Sequence, residues 1–250
     1  MEQKVYNLLI LDESGSMGMI KDVAVSGLNE TLQTIVSAQK EHPEQKHYVT
    51  LVTFNSVRIN KVMDRLPVES VTELKWNDYT PNNCTPLFDA MGQSLTELRE
   101  HVAGQDVVLV TIITDGMENA SKEYNGAMIK RLVAQLKEQG WVFAYIGTNQ
   151  DVNAVADGMG IHSRMHYDYS LKGASDMFEE ELRHRKVFYN LVSCEKRDLA
   201  KEDYFSLADK EEDKIERKDD KQLLSSPNNE TTEETSIKAK GFWQKIKDAL

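Results

Sequence analysis

Apolar and polar positions alternate between two rhythms along the first ~170 residues, one continuous or of period two, the other of period 3.6. Continuous apolar runs at 5–11, 106–116 ("DVVLVTIITDG") and 141–147 ("WVFAYIG") read as buried strands of the kind that a parallel sheet covers on both faces. Residues 47–55 and 57–64 read as two strands joined by a tight turn at Asn55-Ser56, the second an antiparallel edge strand, and a last strand falls near 163–169. Between the strands lie helical patterns. Residues 20–40 repeat Val23, Leu28, Leu32 and Ile35 at helical spacing, 87–102 and 152–159 are helical, and 124–139 is closed by Gly140. A final helix over 174–193 carries an imperfect stripe of Phe178, Leu182, Phe188 and Leu191. This alternation predicts an α/β fold: a doubly wound, mostly parallel sheet with one antiparallel edge strand and helices on both faces, Rossmann-like in architecture.

The rhythm fails in two places. Residues 65–86, with Pro67, Pro81, Pro86 and Asn82-Asn83, form a long connection, and connections of this length in compact domains usually carry function. Beyond Cys194 the composition shifts. Residues 198–236 hold thirteen Asp or Glu against six Lys or Arg and few large apolar side chains. The expected organisation is therefore a domain over 1–196, an acidic and mostly disordered linker over 197–237, and a short amphipathic helix over 238–250. In that helix Phe242, Trp243, Ile246, Ala249 and Leu250 share one face, with Lys240, Lys245 and Lys247 on others. It could pack back on the domain, dock in a partner groove or lie on a membrane surface. An acid of the linker could also act in cis on the site described next.

The net charge of -11, without a basic stripe, argues against nucleic acid. No run approaches the ~20 apolar residues of a membrane span, and no signal peptide is evident. The expectation is a cytoplasmic protein, its two cysteines, Cys84 and Cys194, forming no metal or CxxC pattern.

Two of the buried strands end on an acid, Asp12 and Asp115. In "DESGSM" (12–17) Ser14 and Ser16 follow Asp12 at alternate positions, and Thr85 precedes a helix in "NNCTPLFDAMG". Ligands of open parallel sheets bind beyond the carboxyl ends of the strands, where the winding reverses. If these two strands are neighbours there, two carboxylates and several hydroxyls meet. Hard oxygen donors suit Mg²⁺, Mn²⁺ or Ca²⁺ rather than zinc or copper. Only two carboxylates would leave such an ion electrophilic and able to accept a carboxylate from outside.

"DESGSM", "CTPLFDAMG" (84–92) and "TDGMEN" (114–119) resemble, in order and placement, the three pieces of the metal-ion-dependent adhesion site of von Willebrand factor type A domains. The resemblance covers roughly residues 3–195. It implies that Ser14 and Ser16 coordinate Mg²⁺ directly, that Asp12 does so directly or through water, that Thr85 joins when a ligand is engaged, and that Asp115 acts mainly through water. It further implies a protein partner that offers an Asp or Glu to the ion, an adaptor or assembly role, and a stand-alone cytoplasmic member of bacterial or phage type.

The rival of another class is a metal-dependent hydrolase or phosphotransferase using Asp12. That chemistry wants a second carboxylate two residues on, where Ser14 stands, and "ESGSM" is neither a nucleophile elbow nor a Ser paired with a placed His. No catalytic residue is expected. His162 and His166 fall in a strand without a third ligand, and Cys84 beside Thr85 reads as incidental.

Overall fold

The computed structural model describes residues 2–148, 152–194 and 198–214. Its central strand, β1 (Gln3–Asp12), is buried from Val5 to Asp12. It pairs in parallel with β2 (Gln45–Phe54) on one side and, across the register Leu11–Ile113, with β4 (Val107–Ile113) on the other. β3 (Ile59–Pro67) closes one edge antiparallel to β2, while β5 (Val142–Gly147) and β6 (Arg164–His166) continue in parallel beyond β4. The order β3-β2-β1-β4-β5-β6 makes the winding reverse between β1 and β4. The two acid-terminated strands are thus neighbours at the reversal, which is where such sheets bind ligands.

Helices cover both faces. α1 (Lys21–Glu41) and α5 (Leu171–Ser193) share a core with Leu9, Leu11, Leu109 and Ile113. α2 (Leu87–Arg99), α3 (Gly126–Glu138) and α4 (Val152–Gly158) share the other with Leu8, Ile10, Val110 and Ile112. Alternate side chains along β1 and β4 therefore enter opposite cores, which is why both strands read as unbroken apolar runs. Truncating one of these fully buried Leu or Ile side chains to Ala would cost about 2–5 kcal/mol.

Local signals set the ends. Asn125 accepts from the backbone N–H of Met128 at the start of α3, and Gly140 takes φ +89° just after it, a conformation that glycine adopts without strain. α5 begins earlier than its apolar stripe suggests, because Ser170 caps Gly173. β6 is shorter than its pattern suggests, ending at His166. The stripe of α5 is imperfect because Glu181, His184, Arg185 and Tyr189 are buried beside Phe178 and Phe188.

The compact unit runs from Met1 to Lys210, beyond the boundary at 196 that the change in composition suggests. Leu199, Tyr204 and Leu207 join the α5-side core, and the Tyr204 hydroxyl donates to Glu181 at 3.2 Å. Most of the segment expected as a linker, and the tail positions Phe242, Trp243 and Ile246, lie outside the described residues.

Candidate metal centre

Asp12 ends β1 with its carboxylate fully buried between the loops that follow β1 and β4. Its Oδ1 accepts the backbone N–H of Ser14 at 2.7 Å, and its Oδ2 accepts the Thr114 hydroxyl at 2.6 Å. The first bond is a local turn that Asp forms readily with the N–H two residues on. The second spans the β1–β4 seam. The Ser14 and Ser16 hydroxyls lie 3.1 Å apart, and Ser16 donates to Asp115 Oδ1 at 2.6 Å. The other oxygen, Asp115 Oδ2, is buried without a partner. Ser16 is exposed while Ser14 is buried, so the cluster opens to solvent on the Ser16 side.

Thr85 arrives from the connection before α2. Its backbone N–H donates to Asn119 Oδ1 at 2.9 Å, and its carbonyl accepts the Asn119 N–H at 3.1 Å. The clasp joins the second motif to the third. Gly116 measures the convergence. A β-carbon there would stand 2.9 Å from Thr85 Oγ1 and 3.6 Å from both Asp12 Oδ2 and Ser16 Oγ. Oxygens from two segments, the end of β1 with its loop and the connection before α2, therefore surround one point on a third, the loop after β4, that glycine leaves open.

The surrounding framework holds these loops. Gly15 donates to the carbonyl of Asn83, a residue with φ 60°, and Asn82 donates to the Glu13 carbonyl. Glu13 is itself buried, its Oε1 accepting from Arg58 and from the Thr80 N–H. Hydroxyls of Tyr79 and Tyr169 donate to the carbonyls of Asp12 and Ser16. Asp89, in the first turn of α2, accepts the N–H groups of Lys122, Glu123 and Tyr124, which anchors the loop after β4.

Electrostatically the site is a pair of acids on which no cationic side chain acts among the described residues. Burial pushes the Asp12 carboxyl up to about 6, opposed by its bonds from Thr114 and Ser14, with the Asp115 charge adding to the rise. Burial also raises Asp115, against the bond from Ser16. Among the described residues no group of three His, Cys, Asp or Glu gathers at one place. What converges here instead is two carboxylates with three hydroxyls. The unpartnered Asp115 Oδ2, the open point beside Gly116 and the hard-oxygen donor set all fit a small divalent cation.

All five residues that the motifs single out (Asp12, Ser14, Ser16, Thr85 and Asp115) meet in this cluster. His162 is exposed beside Asp157, and His166 is exposed at the sheet edge. Cys84 and Cys194 are exposed and unpaired. The five motif residues do not include Thr114, Asn119, Asp89 or the two tyrosines that hold the β1 loop. Thr114 and Asn119 stand within "TDGMEN", so the motif itself held their signal. Tyr79 and Tyr169 carry none beyond ordinary loop and strand aromatics.

No protein-family model and no curated protein matches the sequence. Solved structures do. The chain is similar to the vWF domain of the type V pili tip protein Mfa5 from Porphyromonas gingivalis, at 9% identity over 76% of this chain and 97% of that one, TM-score 0.51. It is similar to the pilus adhesin SpaC from Lactobacillus rhamnosus GG at 12% identity over 75% of this chain, TM-score 0.52, and to the minor pilin PilB from Streptococcus sanguinis at 11% over 79%, TM-score 0.51. The chain spans 30% of SpaC and 64% of PilB. At these identities the likeness is one of fold, a type A-like doubly wound sheet. Among the described residues no helix is long and apolar enough to cross a membrane.

Proposed function

We propose that this chain is a protein-interaction module that holds Mg²⁺, or Mn²⁺ or Ca²⁺ in its place, among Asp12, Ser14, Ser16, Thr85 and Asp115, and engages an Asp or Glu of a partner protein through it. The observation that carries this reading is that Thr85 Oγ1, Ser16 Oγ and Asp12 Oδ2 surround one point beside Gly116, with Ser14 and Asp115 joined to them through Ser16 and, among the described residues, no cationic side chain acting on Asp12. A bound divalent ion would supply a Lewis-acidic charge at that point. Ser14, Ser16 and Thr85 would ligate it, Asp12 would hold the serine loop in register, and Asp115 would balance charge from the far side. Exposure on the Ser16 side would leave room for the partner's carboxylate.

The role is that of an adaptor or assembly factor, not a catalyst. A phosphoryl-transfer reading needs a carboxylate where Ser14 stands, and no observation favours it. A cytoplasmic setting belongs to the proposal, supported by two exposed unpaired thiols of the kind that reducing compartments maintain. A second contact through Phe242, Trp243 and Ile246 would tether the partner.

The test is affinity capture from source-cell lysate with wild type and Asp12→Ala, each in Mg²⁺ and in EDTA. We expect a partner that wild type retains only with Mg²⁺ and that the variant loses. A partner indifferent to both metal and substitution would overturn metal-bridged binding.

A further inference from the structure

Among the described residues the large apolar side chains that stand more than half exposed are Met19, Val57, Trp76, Met117 and Leu171. Each belongs to a segment that builds the metal cluster or is bonded to one. Met19 lies in the turn that carries Ser16 from β1 into α1. Trp76 donates from Nε1 to Asp22 at 2.5 Å, in the first turn of α1, and Lys21 Nζ lies 3.3 Å over its ring. Val57 stands in the β2–β3 turn, where the Ser56 N–H donates to the carbonyl of Cys84, next to Thr85. Met117 adjoins Gly116. Leu171 opens α5 two residues after Tyr169, which donates to the Ser16 carbonyl. The outer helix faces and the opposite end of the sheet expose no such side chain among the described residues. Single exposed apolar residues are ordinary, but their confinement to one end marks a surface that something covers. Charge indicates what covers it. On a chain of net charge -11, these segments carry Lys21, Arg58, Lys75, Lys122 and Lys172 against Asp22, Asp78, Glu118 and Asp168 as the acids that are not buried. An acidic segment, repelled by the chain as a whole, therefore approaches most easily here.

We propose that this end is a docking face for a protein segment in which the Asp or Glu offered to the metal is flanked by large apolar side chains. The inference deepens the metal-bridged reading above and rests on it. Apolar contact at Met19, Met117 and Leu171 excludes water from the rim of the site, which strengthens the attraction between the partner's carboxylate and the cation. Two of the exposed side chains are methionines, which adapt their shape to a partner at small cost, and a third is tryptophan, a frequent anchor of interfaces.

The probe is a pool of seven-residue peptides with a fixed central Asp or Glu and randomised flanks, selected in Mg²⁺ on the immobilised full chain. We expect the selected peptides to carry Leu, Ile, Met, Phe or Trp within two positions of the acid and to be released by EDTA. Met19→Ser and Met117→Ser should each weaken a selected peptide about five- to tenfold, while Met117→Leu binds it as wild type does. Mg²⁺ affinity by calorimetry should stay within twofold of wild type in all three variants. Selection of polar flanks, failure to select any peptide, retention in EDTA, or full peptide binding by both serine variants would overturn the docking face, with Mg²⁺ binding by wild type showing that the metal site itself stands. Wild type binding no Mg²⁺ would overturn both.

Discussion

Two polar clusters are buried in this molecule, and they are built on opposite plans. Beneath α5, Arg185 is fully buried and donates to Glu181 at 2.8 Å, to Tyr189 at 3.0 Å and to Thr111 at 2.7 Å, while Tyr189 donates to Asn7 at 2.6 Å. Burial works against the guanidinium's charge, but Glu181 holds the proton on, so cation and anion are enclosed together. At the strand ends Asp12 and Asp115 are enclosed with hydroxyls and with each other's like charge. The first cluster is balanced within the chain and fastens α5 to β1 and β4. The second has no such cation among the described residues. Burial alone does not make a cluster a candidate site; uncompensated charge within the burial does.

The comparison can be broken most forcefully from the balanced side. Arg185→Leu should strand Glu181 as a buried unpaired carboxylate and cost about 3–5 kcal/mol in denaturant unfolding, a loss that Mg²⁺ does not restore selectively. Asp12→Asn, which carries no buried charge, should leave metal-free stability at neutral pH no lower than that of wild type while removing the stabilisation that Mg²⁺ gives.

Acidity sharpens the contrast next. Burial foremost, then the charges of His42 and Arg185, bring the His47 ring under α5 down to about 4 from 6.5. The unfolded chain takes up that proton first, so this contribution is full above pH 6.5 and is lost as pH falls towards 4. It amounts to about 3 kcal/mol at most. Asp12, raised from 3.8 to about 6, does the opposite: the folded protein keeps the proton longer, so metal-free stability is full below pH 3.8 and declines as pH rises through 6. In metal-free wild type the two slopes offset one another. Asp12→Asn should unmask a steeper loss of stability on acidification, readable from denaturant midpoints between pH 4 and 7. Saturating Mg²⁺ should do the same to wild type by holding Asp12 ionised.

The smallest expected effect is at the clasp. Asn119→Ala removes the side-chain acceptor of the Thr85 N–H and should cost about 1–2 kcal/mol of stability, with a few-fold loss of Mg²⁺ affinity by calorimetry.

The central sheet and the five oxygen donors were legible because each signal is local: an apolar run ending on an acid, hydroxyls two apart, a threonine before a helix. The juxtaposition of β1 and β4 is a property of strand order, which local pattern implies only through the reversal rule. Arg185 and Glu181 stand four apart on α5, the spacing of an ordinary exposed helical pair, and only the polar positions Asn7 and Thr111 within apolar strands hint that this pair faces inward. Leu199, Tyr204 and Leu207 were masked by the acidic residues around them, since averaged composition hides three anchors in a charged stretch.

The pairing of β1 with β4 also bears on how the protein is made. A chain emerging from the ribosome brings out Asp12, Ser14 and Ser16 ahead of Thr85 and Asp115 and can pair β1 with β2 as soon as Phe54 is free. Thr114 and Asp115 come only after β4 has been synthesised and has docked along the other side of β1. The two halves of the cluster therefore stay apart until the central seam has closed, and under the proposed reading an incomplete copy could neither hold the cation nor capture a partner.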